Sequence, residues 1–156
     1  MNKILIALDY EADAIKVAKK GFLLAKAMGA KVVLLHVIDE NSYFSILGYS
    51  PINGFSGFLD MSPMKSESSE ELNITIIQFL EKIKQQLGDE TIQSHIKEGN
   101  FAESILMEAE EIKAGIIVLG SHSQKWLENI VMGSLTEKVL NNISIPVFIV
   151  PTKQIS

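Results

Sequence analysis

The sequence predicts a single α/β domain built on an open, doubly wound sheet of parallel strands. Three observations carry that prediction. Short apolar runs alternate with amphipathic stretches of helical period almost from end to end, which is what parallel strands joined by right-handed helical crossovers require. Most of the runs are apolar throughout rather than every second residue, as suits strands covered on both faces. A length of 156 residues leaves room for one good core and not two. Hydrophobic residues make up 47% and charged residues 21%, which excludes a disordered or fibrous chain.

Taken in order, KILIALD (3–9) is an apolar run closed by an acid and reads as a buried strand. Residues 12–29 have helical period, with Ala14, Ile15, Ala18, Phe22, Ala25 and Met28 on one stripe and Gly29 where a C-cap belongs. KVVLLHVID (31–39) is a second buried strand. Residues 69–87 are helical, with Leu72, Ile76, Phe79, Leu80, Ile83 and Leu87 on the apolar face, Gly88 as the stop and Ser68 or Ser69 as N-cap. TIQSHIK (91–97) alternates only in part and suits a sheet edge. A helix over 101–113 carries Phe101, Ile105, Leu106, Ala109 and Ile112. GIIVLG (115–120) is the most apolar strand, residues 134–142 are helical, and IPVFIVP (145–151) is a last strand bracketed by Pro146 and Pro151, again at an edge.

Residues 40–68 stand outside this scheme. The stretch is long for a connection in a compact domain, and it holds Tyr43, Phe44, Tyr49, Phe55 and Phe58, five of the eleven aromatic residues. It reads as an aromatic-rich insertion in one domain spanning 1–156. It is a surface excursion packed back on the domain, a lid over a ligand, or a contact with a partner chain.

Composition narrows the function classes. All 14 basic residues are lysine, against 19 acids, for a net charge of −5. A broad basic surface for nucleic acid is excluded, and so are arginine fingers and bidentate arginine clamps on phosphate. The absence of cysteine removes thiol catalysis, disulfide frameworks and cysteine zinc sites. No segment nears the length of a membrane span, and the run Ile4–Leu8 is too short for a signal peptide. The expectation is a soluble cytoplasmic protein with no membrane and no nucleic-acid partner.

In open α/β sheets ligands sit beyond the carboxyl ends of the strands, where strand order reverses. The residues there are Asp9, then Ile38 and Asp39, then Glu98 and Gly99, then Gly120, Ser121, His122 and Ser123. Gly120 permits a sharp turn and close approach of a ligand to the backbone. Gly133-Ser134 opens a helix, whose free N–H groups favour an anion. Neither a Walker A loop nor a Gly-x-Gly-x-x-Gly motif occurs.

The stretch GSHSQKWLENIVMGSLTEKVL (120–140) with IPVFIVP (145–151) resembles the universal stress protein family, whose motif is Gly-x-x-Gly, nine residues, then Gly-Ser/Thr. Gly120, the nine residues 124–132, Gly133 and Ser134 match; Ser123 stands where the second glycine belongs. KILIALD (3–9), LAKAMGAKVVLLHVID (24–39) and EGNFAESIL (98–106) resemble the front of the family domain, with Ala7 where a proline is usual. The resemblance implies a three-layer, Rossmann-like sheet of the adenine nucleotide alpha-hydrolase type, five parallel strands in order 3-2-1-4-5 with helices on both faces. It implies an adenine nucleotide, ATP or AMP, in the crevice between strands 1 and 4. The backbone around Ala7, Asp9 and Val37 would hold adenine and ribose. Leu119, Gly120, Ser121, His122, Ser123, Gly133, Ser134 and Leu135 would line the phosphates, with Asp9 able to reach a phosphate-bound Mg or Mn ion. It also implies a homodimer through strand 147–151, acting as a stress-response sensor or regulator.

Each residue also has an ordinary reading. Asp9 suits a helix N-cap, His36 a hydrogen-bonded core histidine, His95 an exposed edge position, His122 a loop residue, Trp126 plain packing and Lys125 a solvated cation. The histidines lack metal-ligand spacing, which argues against zinc. A binding module is favoured over an enzyme. Slow ATP hydrolysis at the same crevice would have only Asp9 and His122 to act, and a dimeric interaction protein without nucleotide follows if Ser123 closes the site. A phospho-acceptor receiver domain is excluded because strand five ends in Pro151 where a lysine is needed. A flavodoxin is excluded because DYEAD (9–13) is acidic where a Ser/Thr-rich phosphate loop for flavin is needed.

Overall fold

A computed structural model of the chain describes residues 2–38, 61–120 and 144–151, with 61–69 described as backbone only. The elements are β1 (Lys3–Ala7), α1 (Ala14–Met28), β2 (Lys31–Ile38), α2 (Met61–Leu87), β3 (Gln93–Glu98), α3 (Phe101–Glu111), β4 (Ile116–Gly120) and β5 (Val147–Val150). The five strands form one sheet in the order β3-β2-β1-β4-β5, every pair parallel. The expected order and strand direction hold, and β3 and β5 are the edges.

Parity along β1 explains the layers. Ile4, Ile6 and Leu8 point to one face, where α1 and α2 cover them with Val17, Ala18, Leu72, Ile76 and Leu80. Leu5 and Ala7 point to the other, against Phe101, Ala102, Ile105 and Ala109 of α3. Neighbouring strands follow suit. Val32 and Leu34 join the first cluster and Val33, Leu35 and Val37 the second. A strand covered on both faces has no polar position to spare, so the apolar runs are continuous. α1 comes close to the sheet at Gly21, where an added Cβ would lie 2.6 Å from Ile6 Cδ1 and 2.9 Å from Cγ1.

The stops are those the sequence marks. Gly29 takes the left-handed conformation at φ 66° and donates its N–H to the last turn of α1, and Gly88 does the same for α2 at φ 72°. Beyond Gly88, Asp89 accepts the Thr91 hydroxyl at 2.6 Å and the Thr91 N–H at 2.8 Å. The hydroxyl first and then the amide hold this exposed carboxyl below its ordinary value. Asn100 caps α3, its Oδ1 accepting the Glu103 N–H at 3.0 Å.

Three expectations need correction. α1 begins at Ala14, with Asp13 in the cap position and its carbonyl accepting from Lys16 and Val17. Asp9, four residues upstream, therefore does not cap α1. α2 begins at Met61 rather than 69, so Ser68 and Ser69 lie inside the helix and not at its N-cap position. Pro63 falls in its first turn, where a missing N–H breaks no hydrogen bond. The polar run 65–71 has no apolar stripe to announce a helix, and residues 61–68 of the aromatic-rich insertion are helical all the same. The remainder of that insertion and the helix expected over 134–142 lie outside the described residues.

Gly21→Val should destabilise the fold by roughly 1–3 kcal/mol through overpacking against Ile6, with a β-branched residue's lower helix propensity added. In urea unfolding the midpoint should fall while the slope stays constant.

Candidate functional site

Strand order dictates where a site can form. From β1 the chain winds outward through α1, β2, α2 and β3 on one side, then crosses by α3 to β4 on the other side of β1. Helices leaving β1 and β3 go to opposite faces of the sheet. The exits of β1 and β4 are therefore the switch point, where no crossover helix fills the space between neighbouring strand ends.

The described residues expected at the site converge there. Ala7 ends β1, Leu119 and Gly120 end β4, and Val37 is the penultimate residue of β2. Ala7, Val37 and Leu119 all pack on the α3 face of the sheet. Ala7 pairs with Leu35, so the same register carried on by two residues sets Asp9 level with Val37. Ile6 pairs with Val118, which sets Leu8 level with Gly120. Asp9 is half-buried, and its carbonyl accepts the Glu11 N–H at 2.9 Å, starting the turn into α1. Ser121, His122, Ser123, Gly133, Ser134 and Leu135 lie outside the described residues, as do Lys125 and Trp126.

Two histidines can be placed. His36 is 3% exposed, and its Nδ1 donates to the Leu8 carbonyl at 2.8 Å, which makes it the hydrogen-bonded core residue expected. His95 is more than an exposed edge residue. It lies on β3 two residues before Lys97, and both side chains meet Glu108 of α3. Glu108 is 3% exposed, with His95 Nδ1 on its Oε1, Lys97 Nζ 3.8 Å from its Oε2, and Glu111 taking Lys97 at 3.0 Å. The sequence reading missed this acid. The available signal was position: Glu108 stands three residues after Ile105, within the apolar stripe of α3. No group of three or more His, Asp or Glu residues able to hold a metal occurs among the described residues.

The fold and its switch point define a doubly wound α/β protein of the kind that takes ligands at strand exits. The universal stress protein family matches residues 1–151, and the chain belongs to that family. Universal stress protein MJ0577 of Methanocaldococcus jannaschii is 32% identical over 97% of this chain and 96% of its own length. The solved structure of hypothetical protein MJ0577 superposes with a TM-score of 0.57 at 29% identity, covering 99% of this chain and 98% of that one. A universal stress protein in complex with cAMP has a TM-score of 0.57 at 16% identity, covering 97% and 98% of the two chains. One from Archaeoglobus fulgidus in complex with dAMP has a TM-score of 0.51 at 20% identity, covering 96% and 97%.

Glu108→Ala removes the acid that His95 meets and leaves the Lys97 ammonium with Glu111 alone. Loss of about 1–3 kcal/mol is expected, read as a lower denaturation midpoint. Exposed Glu110→Ala should change stability by less than roughly 0.5 kcal/mol.

Proposed function

We propose that this universal stress protein binds an adenine nucleotide at the exits of β1 and β4 and acts as a dimeric, cytoplasmic stress-response regulator. One observation carries the reading: the strand order brings Asp9 and Gly120 out at the same switch point, where this class of sheet takes ligands. Its support from relatives is that two proteins of this fold hold cAMP and dAMP. Adenine and ribose would lie against the backbone of Ala7, Asp9 and Val37. The phosphates would meet Leu119, Gly120, Ser121, His122 and Ser123 and the helix start at Gly133, Ser134 and Leu135.

The charge pattern bears on how each part is held. Asp9, Glu11 and Asp13 follow β1 in quick succession, so a bare phosphate beside Asp9 would be repelled. Asp9 instead suits a ribose hydroxyl, which donates to it, or a divalent ion shared with phosphate. An Mg or Mn ion held there would screen that repulsion and take its remaining ligands from phosphate oxygens and water. With no arginine in the chain, phosphate oxygens would rely on backbone N–H groups at the glycines and the helix start. The same lack leaves little to stabilise a phosphoryl-transfer transition state, so binding is preferred to turnover.

Calorimetry with ATP, AMP, cAMP and dAMP tests the reading. Asp9→Ala should weaken the preferred nucleotide at least about tenfold, or roughly 1.4 kcal/mol. Ser123→Gly should strengthen it about fivefold if the position needs φ > 0, where a side chain costs roughly 1 kcal/mol. Absence of binding at millimolar nucleotide, with none released from the purified protein on denaturation, would refute it.

The dimer would form along β5. Val147, Phe148 and Ile149 are 36%, 43% and 42% exposed on an edge strand, the kind of apolar edge that pairs with a second chain. Light scattering should give a dimer for the wild type and a monomer for Phe148→Lys. A wild-type monomer at micromolar concentration would exclude this interface.

A further inference from the structure

The β1 exit is anchored from two sides, and the anchors touch each other. Upstream of Asp9, both backbone groups of Leu8 are tied to β2: its N–H donates to the Leu35 carbonyl at 2.8 Å, and its carbonyl accepts from His36 Nδ1 at 2.8 Å. Downstream of Asp9, the ring of Tyr10 packs on Phe79 of α2 with centroids 4.9 Å apart. Phe79 in turn meets the His36 ring edge-on at 6.5 Å. Asp9 therefore lies between a residue held by its backbone and a residue held by its ring, and both holds end on one His36–Phe79 contact.

A chain leaving a strand normally has free torsions at the first residue past the ladder. Here the Leu8 carbonyl would be the first group without a strand partner, and a buried carbonyl left unpaired is costly. The imidazole supplies the missing donor from within β2 itself, and its short side chain has little freedom to move. The contact with Phe79 limits rotation of the ring further.

We infer that His36 and Phe79 are positioning residues that set the direction in which Asp9 leaves the sheet, and so its reach toward a ligand at the switch point. The inference rests on the nucleotide reading for what Asp9 does, and on the geometry alone for what holds Asp9. His36 acts on Asp9 through the Leu8 carbonyl. A donor is needed at that place rather than an imidazole as such. Asparagine, whose Nδ2 falls near the position of Nδ1, should serve, whereas leucine, which keeps bulk and loses the donor, should not.

Two measurements separate the anchor from the site. In nucleotide-free protein, amide hydrogen exchange over residues 9–13 should speed up roughly tenfold in His36→Leu and stay near the wild-type rate in His36→Asn. ATP affinity, measured well below each variant's Tm, should fall roughly tenfold in His36→Leu. It should fall in the same direction in Phe79→Leu and recover in His36→Asn. Ile105→Val, in the core on the opposite face of the sheet, should lower Tm without moving either readout. The inference is overturned if His36→Leu behaves like Ile105→Val, losing stability while exchange and affinity stay put, or if His36→Asn fails to rescue a change seen in His36→Leu. A wild type that binds no nucleotide, while His36→Leu still frees residues 9–13, removes the nucleotide reading and leaves the anchor standing.

Discussion

The structure depends on β1 being buried on every side. Its Ile4, Leu5 and Ile6 are wholly excluded from solvent, its two edges are both paired, and its two faces carry the two halves of the core. A strand so placed admits no charge until it leaves the sheet, and the first charge after Lys3 is Asp9. The location of the candidate site and the composition of the central strand are thus one constraint: the chain can become polar only where it exits, and it exits at the switch point. The glycine at position 21 serves the same end, because it lets α1 settle against Ile6 and close the face over β1.

Much of the fold was legible because burial on both faces leaves a plain mark. The runs 3–9, 31–39 and 115–120 read as strands since each lacks the polar positions a half-exposed strand would show. Glycine at 29 and 88 marked helix ends for a reason the backbone bears out, a left-handed turn that other residues resist. The start of α2 was not legible. Residues 61–71 carry no apolar periodicity, so nothing in that stretch of sequence announces a helix. Asp9 as a cap was a plausible local reading that lost to the length of the turn: the chain uses Glu11, Ala12 and Asp13 to change direction before α1 begins.

At the site, the sequence could mark Asp9 and Gly120 as strand exits, and the general rule for such sheets brings them together. For Glu108 it offered a position within the apolar stripe of α3 but not the partners, because His95 and Lys97, on one face of β3, are brought over it only by the fold. Those two residues belong to the edge strand, and their shared acid lies on the helix that crosses back toward β4. The cluster ties the outermost strand to the crossover that creates the switch point. It is a polar bond across a mainly apolar layer, and its geometry comes from parity along β3, where His95 and Lys97 lie opposite Leu35 and Val37.

The strand order has a consequence for how the chain must assemble as it is made. Synthesis delivers β1, β2 and β3 in that order, so one side of the sheet grows outward at once. The other edge of β1 waits for β4, which follows both α2 and α3. Until β4 arrives, that edge of β1 has no partner strand for its N–H and C=O groups. The side completed by β4 is the side on which the candidate site forms, so the crevice between the two strand exits exists only once β4 is laid against β1.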